Sequence, residues 1–193
     1  MHSIKTKIIL IAFLFSSPIL LKAQNSAGIG VAAEIGLPSG NFSNLSGIGL
    51  GASVKADLPV AENFAITLNA GFMNFFGKRN QLFNVQDLTY IPAKAGLKYQ
   101  LSESFYLEGQ LGAALSLNKD QKNLFVWSPG IGNQFKLSGG NKLDLGIRYE
   151  AWTGKSDIAG LNKSDSKGFV GIRVAYLFGM LNNYSTQLFE LFR

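Results

Sequence analysis

The feature that most constrains this chain is a strict alternation of apolar and polar residues, which is clearest between residues 142 and 151. The apolar positions there are Leu143, Leu145, Ile147, Tyr149 and Ala151, and the positions between them are Lys142, Asp144, Gly146, Arg148 and Glu150. Successive side chains of a β-strand point to opposite faces, so this pattern predicts a strand with two chemically different faces. The rest of the chain indicates which face lies inside the fold.

The same alternation recurs in eight segments along the sequence. They span residues 27–37, 47–58, 64–76, 89–101, 105–117, 124–137, 142–153 and 168–179. Each is at least about as long as the 9–11 residues with which a tilted strand crosses a bilayer. Short connections such as Ser102–Ser104 alternate with longer polar ones such as Gly154–Lys167. This alternation is typical of an up-and-down barrel with turns on one side and loops on the other.

The first 23 residues have the organisation of a secretory signal peptide. Lys5 and Lys7 precede an apolar run, and small residues follow up to Ala23, after which we place the cleavage site. A transmembrane anchor is the alternative, but the run is short and contains Pro18. Cleavage would remove three lysines, the third being Lys22, and lower the net charge from +6 to +3. So small a charge argues against a nucleic-acid partner.

Charged residues are confined to one face of the predicted strands. They are Glu34, Lys55, Asp57, Lys94, Lys98, Glu108, Lys136, Lys142, Asp144, Arg148, Glu150 and Arg173. A soluble barrel of the lipocalin type would also have one apolar and one polar face, with the apolar face inside. The export signal, the alternating loop lengths and the aromatic residues at the strand ends favour the inverted arrangement. We therefore predict an all-β, eight-stranded antiparallel up-and-down transmembrane β-barrel with its charges in the lumen.

Aromatic residues at the strand ends are predicted to form two girdles at the membrane interfaces. At the long-loop ends they are Phe72, Phe75, Phe76, Tyr90, Phe125, Trp127, Tyr149, Trp152 and Phe169. At the short-turn ends they are Phe64, Tyr99, Phe105, Phe135, Tyr176 and Phe178.

The residue types available for chemistry are few. The sequence has no cysteine, which excludes a disulfide framework and a thiolate metal site, and its one histidine, His2, lies in the predicted signal peptide. The glycines from Gly47 to Gly51 do not form a phosphate-binding loop, because such a loop leads into a helix and here the strand alternation continues. We predict no catalytic residue, no metal site, no cofactor and no enzymatic activity.

The inward charges are predicted to form ion pairs. Seven are basic and five acidic, and the lumen of an eight-stranded barrel is just filled by side chains, so salt bridges are favoured over general acid–base chemistry. If the turn at residues 102–104 centres on Glu103, antiparallel pairing places Lys98 opposite Glu108. If the next short turn centres on Gly140, Lys136 lies opposite Asp144. These four residues are the predicted lumen ion pairs.

Four segments resemble the small porin-like, eight-stranded outer-membrane β-barrel proteins of Gram-negative bacteria. They are Ile91–Tyr99, Phe105–Ala114, Ser128–Gly132 and Gly171–Phe178. The resemblance extends over residues 24–179, taken as the barrel domain. It implies location in the cell outer membrane and recognition of the last strand by the barrel-assembly machinery during biogenesis. Residues 180–193 extend beyond the usual end as a C-terminal tail, which is compatible with a short amphipathic helix.

Two functions remain open from the sequence. One is a structural or surface-interaction protein with an ion-paired lumen, whose external loops meet outer-membrane lipid, lipopolysaccharide or a partner. The alternative is a narrow porin-like channel for small solutes. The near balance of inward charges favours a plugged lumen, whereas a ring of one sign would favour conduction. We expect a monomer.

Overall fold

Eight long strands close into a single barrel in the computed structural model, which describes residues 27–80, 83–84, 86–118, 121–158 and 161–179. The strands are β1 (Gly28–Ser39), β2 (Ser46–Pro59), β3 (Phe64–Gly77), β4 (Leu88–Gln100), β5 (Phe105–Ser116), β6 (Leu124–Lys136), β7 (Lys142–Ile158) and β8 (Leu161–Gly179). Each strand pairs antiparallel with its sequence neighbours, and β1 closes the barrel against β8. The predicted eight-stranded antiparallel barrel is confirmed.

The strand boundaries differ from the predicted ones mainly in the last long connection. Residues 154–167 were predicted as a loop, but β7 continues to Ile158 and β8 begins at Leu161. Their pairing is continuous from Leu177 opposite Lys142 up to Leu161 opposite Ile158. The last hairpin is therefore longer than the others.

Within the described residues, the other connections contain only short pieces of regular structure. In the first long connection lies a single-turn helix, α1 (Phe42–Leu45), and in the second a two-residue pairing of Arg79–Asn80 with Phe83–Asn84. Among the described residues, no helix is long and apolar enough to span a membrane. The predicted signal peptide, residues 1–23, and the predicted tail, residues 180–193, lie outside the described part of the chain.

The alternating pattern sorts the side chains onto the two faces of the wall. In the eight predicted segments, the apolar parity faces outward, and its large side chains are typically 36–59 % exposed, as for Ile91 and Leu111. Most residues of the charged parity are buried inside the barrel. The faces are thus the reverse of those of a soluble barrel, in agreement with the prediction.

Candidate functional site: the filled lumen

Ten of the twelve predicted inward charges are buried in the lumen, as five acidic and five basic side chains. They are Glu34, Asp57, Glu108, Asp144, Glu150, Lys55, Lys94, Lys98, Arg148 and Arg173. The two exceptions lie at the short-turn mouth, where Lys136 is exposed and Lys142 half-buried. Lys167, at the long-loop end, is buried as well. The sequence did not indicate its burial, because it falls in the segment predicted as a loop.

Six of these charges form a cluster nearer the short turns, here named the lower cluster: Lys55, Asp57, Lys98, Glu108, Asp144 and Arg173. The fully buried Lys55 Nζ lies 3.0 Å from Asp144 Oδ2 and 3.5 Å from a carboxylate oxygen of each of Asp57 and Glu108. Arg173 Nη2 donates to Glu108 at 2.7 Å, and Lys98 donates to Asp57. The three cations and three carboxylates therefore neutralise one another.

Neutral side chains complete the lower cluster. The Tyr106 hydroxyl donates to Asp144 Oδ1 at 2.6 Å, and its ring centroid lies 5.3 Å from Lys55 Nζ and 4.9 Å from Lys98 Nζ. Such cation–π contacts add to the stability of buried ammonium groups. The Gln134 amide donates to Asp144 at 2.8 Å and to Asp57 at 3.1 Å. Gly132 makes room for this arrangement, because a Cβ there would lie 2.3 Å from the Tyr106 hydroxyl.

The remaining four charges, Glu34, Lys94, Arg148 and Glu150, form the upper cluster. Arg148 bridges its two carboxylates, with Nη2 at 2.6 Å from Glu34 and Nε at 2.7 Å from Glu150. Lys94 Nζ lies 2.6 Å from Glu150 as well. Hydroxyl and indole groups supply further hydrogen bonds, from Ser53 to Glu34 at 2.6 Å and from Trp152 Nε1 to Glu150 at 2.7 Å. The upper cluster is also neutral, with two charges of each sign.

An apolar cluster, here named the cap, fills the long-loop end of the lumen above the upper cluster. Its residues are Phe42, Met73, Phe75, Leu88, Tyr90, Ala114, Leu124, Val126, Trp152 and Phe169. Trp152 is at its centre, with edge-to-face contacts to Phe75, Tyr90 and Phe169 at centroid distances of 5.7, 4.9 and 5.2 Å. α1 places Phe42 against Phe75, 5.0 Å between centroids, so the first long connection helps to close this end.

The cap corrects part of the predicted long-loop girdle. Phe75, Tyr90, Trp152 and Phe169 are fully buried inside the barrel instead of facing lipid. Their position was already encoded in the sequence, because all four have the parity opposite to that of the outward apolar residues of their strands. The other five predicted members face outward: Phe72, Phe76, Phe125, Trp127 and Tyr149.

The predicted ion pairs are met only in part. Lys98 lies directly opposite Glu108, as the turn at Glu103 predicts, yet its ammonium group donates to Asp57 on β2. Glu108 is bound instead by Lys55 and Arg173. Long side chains in a narrow lumen reach partners on strands that are not adjacent.

The predicted pairing of Lys136 with Asp144 is wrong. The turn centres on Gly139, whose φ of 71° favours glycine, and this places Lys136 opposite Lys142 and Gln134 opposite Asp144. Lys136 forms an exposed salt bridge with Glu103 at 3.2 Å. A shift of the turn centre by one residue thus moves the residue opposite Lys136 by two positions, from Asp144 to Lys142.

The short-turn end of the lumen opens into a vestibule, a cavity of about 860 Å³. Asp57, Lys98 and Gln134 of the lower cluster line it together with the short turns. Along β7 the order of layers is therefore cap at Trp152, upper cluster at Glu150 and Arg148, lower cluster at Asp144, and mouth at Lys142.

A closed barrel with an apolar outer wall and a charged interior belongs to the class of transmembrane β-barrels. Residues 8–178 match the family model described as "Outer membrane protein beta-barrel domain". This match covers most of the chain, which therefore belongs to this family of outer-membrane β-barrels, and the predicted resemblance to small outer-membrane barrels is confirmed.

Several solved structures resemble the barrel at low sequence identity. Outer membrane protein AlkL is 16 % identical, with a TM-score of 0.48, over 82 % of this chain and 92 % of its own. Ail, the attachment invasion locus protein of Yersinia pestis, is 18 % identical, with a TM-score of 0.43, over 79 % and 97 %. A de novo designed transmembrane β-barrel is 17 % identical, with a TM-score of 0.46, over 80 % and 98 %. The family assignment rests on the domain match and not on these structures. No curated protein matches the chain.

Proposed function

We propose that this protein is a non-enzymatic outer-membrane barrel with an ion-paired lumen, which acts as a structural or surface-interaction protein through its external loops. The observation that carries the proposal is the filling of the lumen by the cap and two neutral charge clusters. A conducting pore needs a continuous path with binding that is weak enough for ions to leave. Carboxylates that each contact one or more buried cations offer no such site to a passing ion.

The composition of the long connections supports an anionic partner such as lipopolysaccharide. Apart from the buried Lys167, the four segments predicted as long connections carry six basic residues, Lys78, Arg79, Lys119, Lys122, Lys155 and Lys163. They carry four acidic residues, Asp87, Asp120, Asp157 and Asp165. An excess of positive charge next to a membrane surface attracts anionic head groups. We also propose export through the signal peptide with cleavage after Ala23, because a basic segment, an apolar run and small residues follow one another in residues 1–23. The long loops are proposed to lie outside, where their basic residues can meet anionic head groups.

The first test is the conductance of the purified barrel in planar bilayers. We expect no discrete current steps once insertion has been verified by heat-modifiable migration of the same sample on gels. Reproducible single-channel steps would favour the alternative, a narrow channel for small solutes, and would contradict a plugged lumen.

The second test concerns the loops. The double variant Lys78→Glu, Arg79→Glu should bind less lipopolysaccharide than the parent when the protein is titrated in phosphatidylcholine vesicles. Lys136→Glu is the matched control, because it changes a charge at the opposite mouth and should leave binding unchanged. Equal binding by all three proteins would remove the support for lipopolysaccharide as the partner.

A further inference from the structure

The outward face of the barrel has no side chain at Gly109, on β5. Of the glycines in the described barrel strands, Gly109 and Gly168 have the outward parity, and a Cβ added at Gly168 would lie 2.4 Å from the Tyr149 hydroxyl oxygen. A Cβ added at Gly109 would meet no atom within 4 Å, whereas at the inward Gly96 and Gly112 it would lie 2.1 and 2.0 Å from a backbone oxygen. Crowding therefore explains those inward glycines and does not explain Gly109.

A second small side chain faces Gly109 across the strand pair. Pro129 is its direct partner on β6, and of the prolines in the described strands it alone has the outward parity. The β5–β6 pairing runs without a shift from Phe105 opposite Asn133 to Ala114 opposite Leu124, so no bulge is present. Glycine inside a strand marks a bulge, a bend, or a place where a ligand or another backbone comes close.

Gly109 and Pro129 form the floor of a shallow cavity of about 670 Å³ on the outer wall, here named the notch. Its walls are Leu97, Tyr99, Leu107, Ile131, Ile147, Tyr149 and Val170. Glu108 and Arg148 also line it, but their charged ends are held in the lumen by salt bridges. The notch therefore offers an apolar surface at the level of the membrane.

We propose that the notch holds one acyl chain of a membrane phospholipid. The lining of an empty hollow lacks dispersion contacts, and a flexible unbranched chain can restore them. The side chains that line the notch offer no cation on its outer surface to bind the phosphates of lipid A. This favours phospholipid as the source of the chain. A closed barrel presents no strand edge, so a second copy would have to contact the notch through side chains alone, and sedimentation tests for it below.

The two tryptophans of the chain provide a direct assay. Trp127 lies on the outward face two residues before Pro129, is 40 % exposed, and its ring centroid is 5.7 Å from that of Tyr149 in the wall of the notch. Trp152 is buried in the cap and can be replaced by Phe in every protein compared. Quenching of Trp127 by phosphatidylcholine brominated in its acyl chains then reports a chain in or beside the notch.

Gly109→Leu fills the notch, and the open space at this position allows the barrel to fold. Ala52→Leu is the matched control, an outward small-to-large change on β2, on another part of the wall. In phosphatidylcholine vesicles we expect Gly109→Leu to lose part of the Trp127 quenching and Ala52→Leu to retain it. Spin-labelled phosphatidylcholine should likewise lose part of its motionally restricted spectral component only in Gly109→Leu.

Three outcomes would overturn the proposal. Equal quenching in all proteins would mean that the chain does not occupy the notch. An unchanged restricted component in Gly109→Leu would mean that leucine merely shields Trp127. A dimer seen by sedimentation in the parent and lost in Gly109→Leu would identify a second copy as the occupant.

Discussion

Glu150 is the side chain whose loss should disturb the lumen most clearly. It accepts hydrogen bonds from Lys94 at 2.6 Å, from Arg148 and Trp152 at 2.7 Å each, and from Ser128 at 3.4 Å. Glu150→Gln keeps the size of the side chain but leaves two buried cations with Glu34 as the one carboxylate of the upper cluster. Removing one partner of a buried ion pair typically costs about 3–5 kcal/mol, because the other charge stays buried without compensation.

The free energy of unfolding can be measured by urea titration in phosphatidylcholine vesicles, with tryptophan fluorescence and gel migration as independent probes. We expect Glu150→Gln to lower it by about 3–5 kcal/mol. Adding Lys94→Met restores neutrality, since Arg148 and Glu34 still pair, and should recover part of the loss. Such coupling between residues in contact amounts to about 0.5–3 kcal/mol.

Glu103→Gln is the matched control for this experiment. Glu103 and Lys136 form a salt bridge with side chains 90 % and 69 % exposed, and such pairs contribute little. A Glu150→Gln variant as stable as the control would show that Glu150 does not compensate the two buried cations. A double variant no more stable than Glu150→Gln would show that Lys94 and Glu150 are not coupled.

Three further predictions follow from the layers of the barrel. Leu145→Arg, on the outward wall, should lower the free energy of unfolding by about 2–4 kcal/mol near the midplane, whereas Glu62→Arg in the exposed short turn between β2 and β3 should not. Trp152→Phe keeps most of the cap but removes the donor to Glu150, and should cost about 1.5–3 kcal/mol in the same titration. The protein should fractionate with outer membranes, migrate faster on gels before heating, and begin at Gln24 on N-terminal sequencing; a soluble periplasmic monomer would contradict the membrane assignment.

The faces of the wall could be predicted because a strand has only two sides. Once charge was confined to one parity, Leu145 and Asp144 had to lie on opposite sides of the wall, and the structure has them so. The same parity would have placed Phe75 and Trp152 in the lumen. The girdle was predicted from the position of the aromatic residues along each strand, without regard to the face on which they lie. For this reason four of its nine members were assigned to the wrong face.

The ion pairs inside the lumen could not be predicted from strand pairing alone. The SGGN turn contains two glycines, both with positive φ, so the sequence does not decide whether it centres on Gly139 or Gly140. Lys98 has the predicted neighbour, Glu108, but its long side chain reaches past β3 to Asp57. Register is a property of two adjacent strands, whereas an ion pair in a narrow barrel depends on all eight.

The pairing of every lumen charge limits how such a barrel can change in evolution. Its two charge clusters are neutral as sets, so a substitution that removes one member leaves another charge buried without its partner. A pore could therefore arise only through several matched replacements, with the intermediate proteins poorly folded. The long connections carry no such restriction, and new binding specificities can accumulate there one residue at a time.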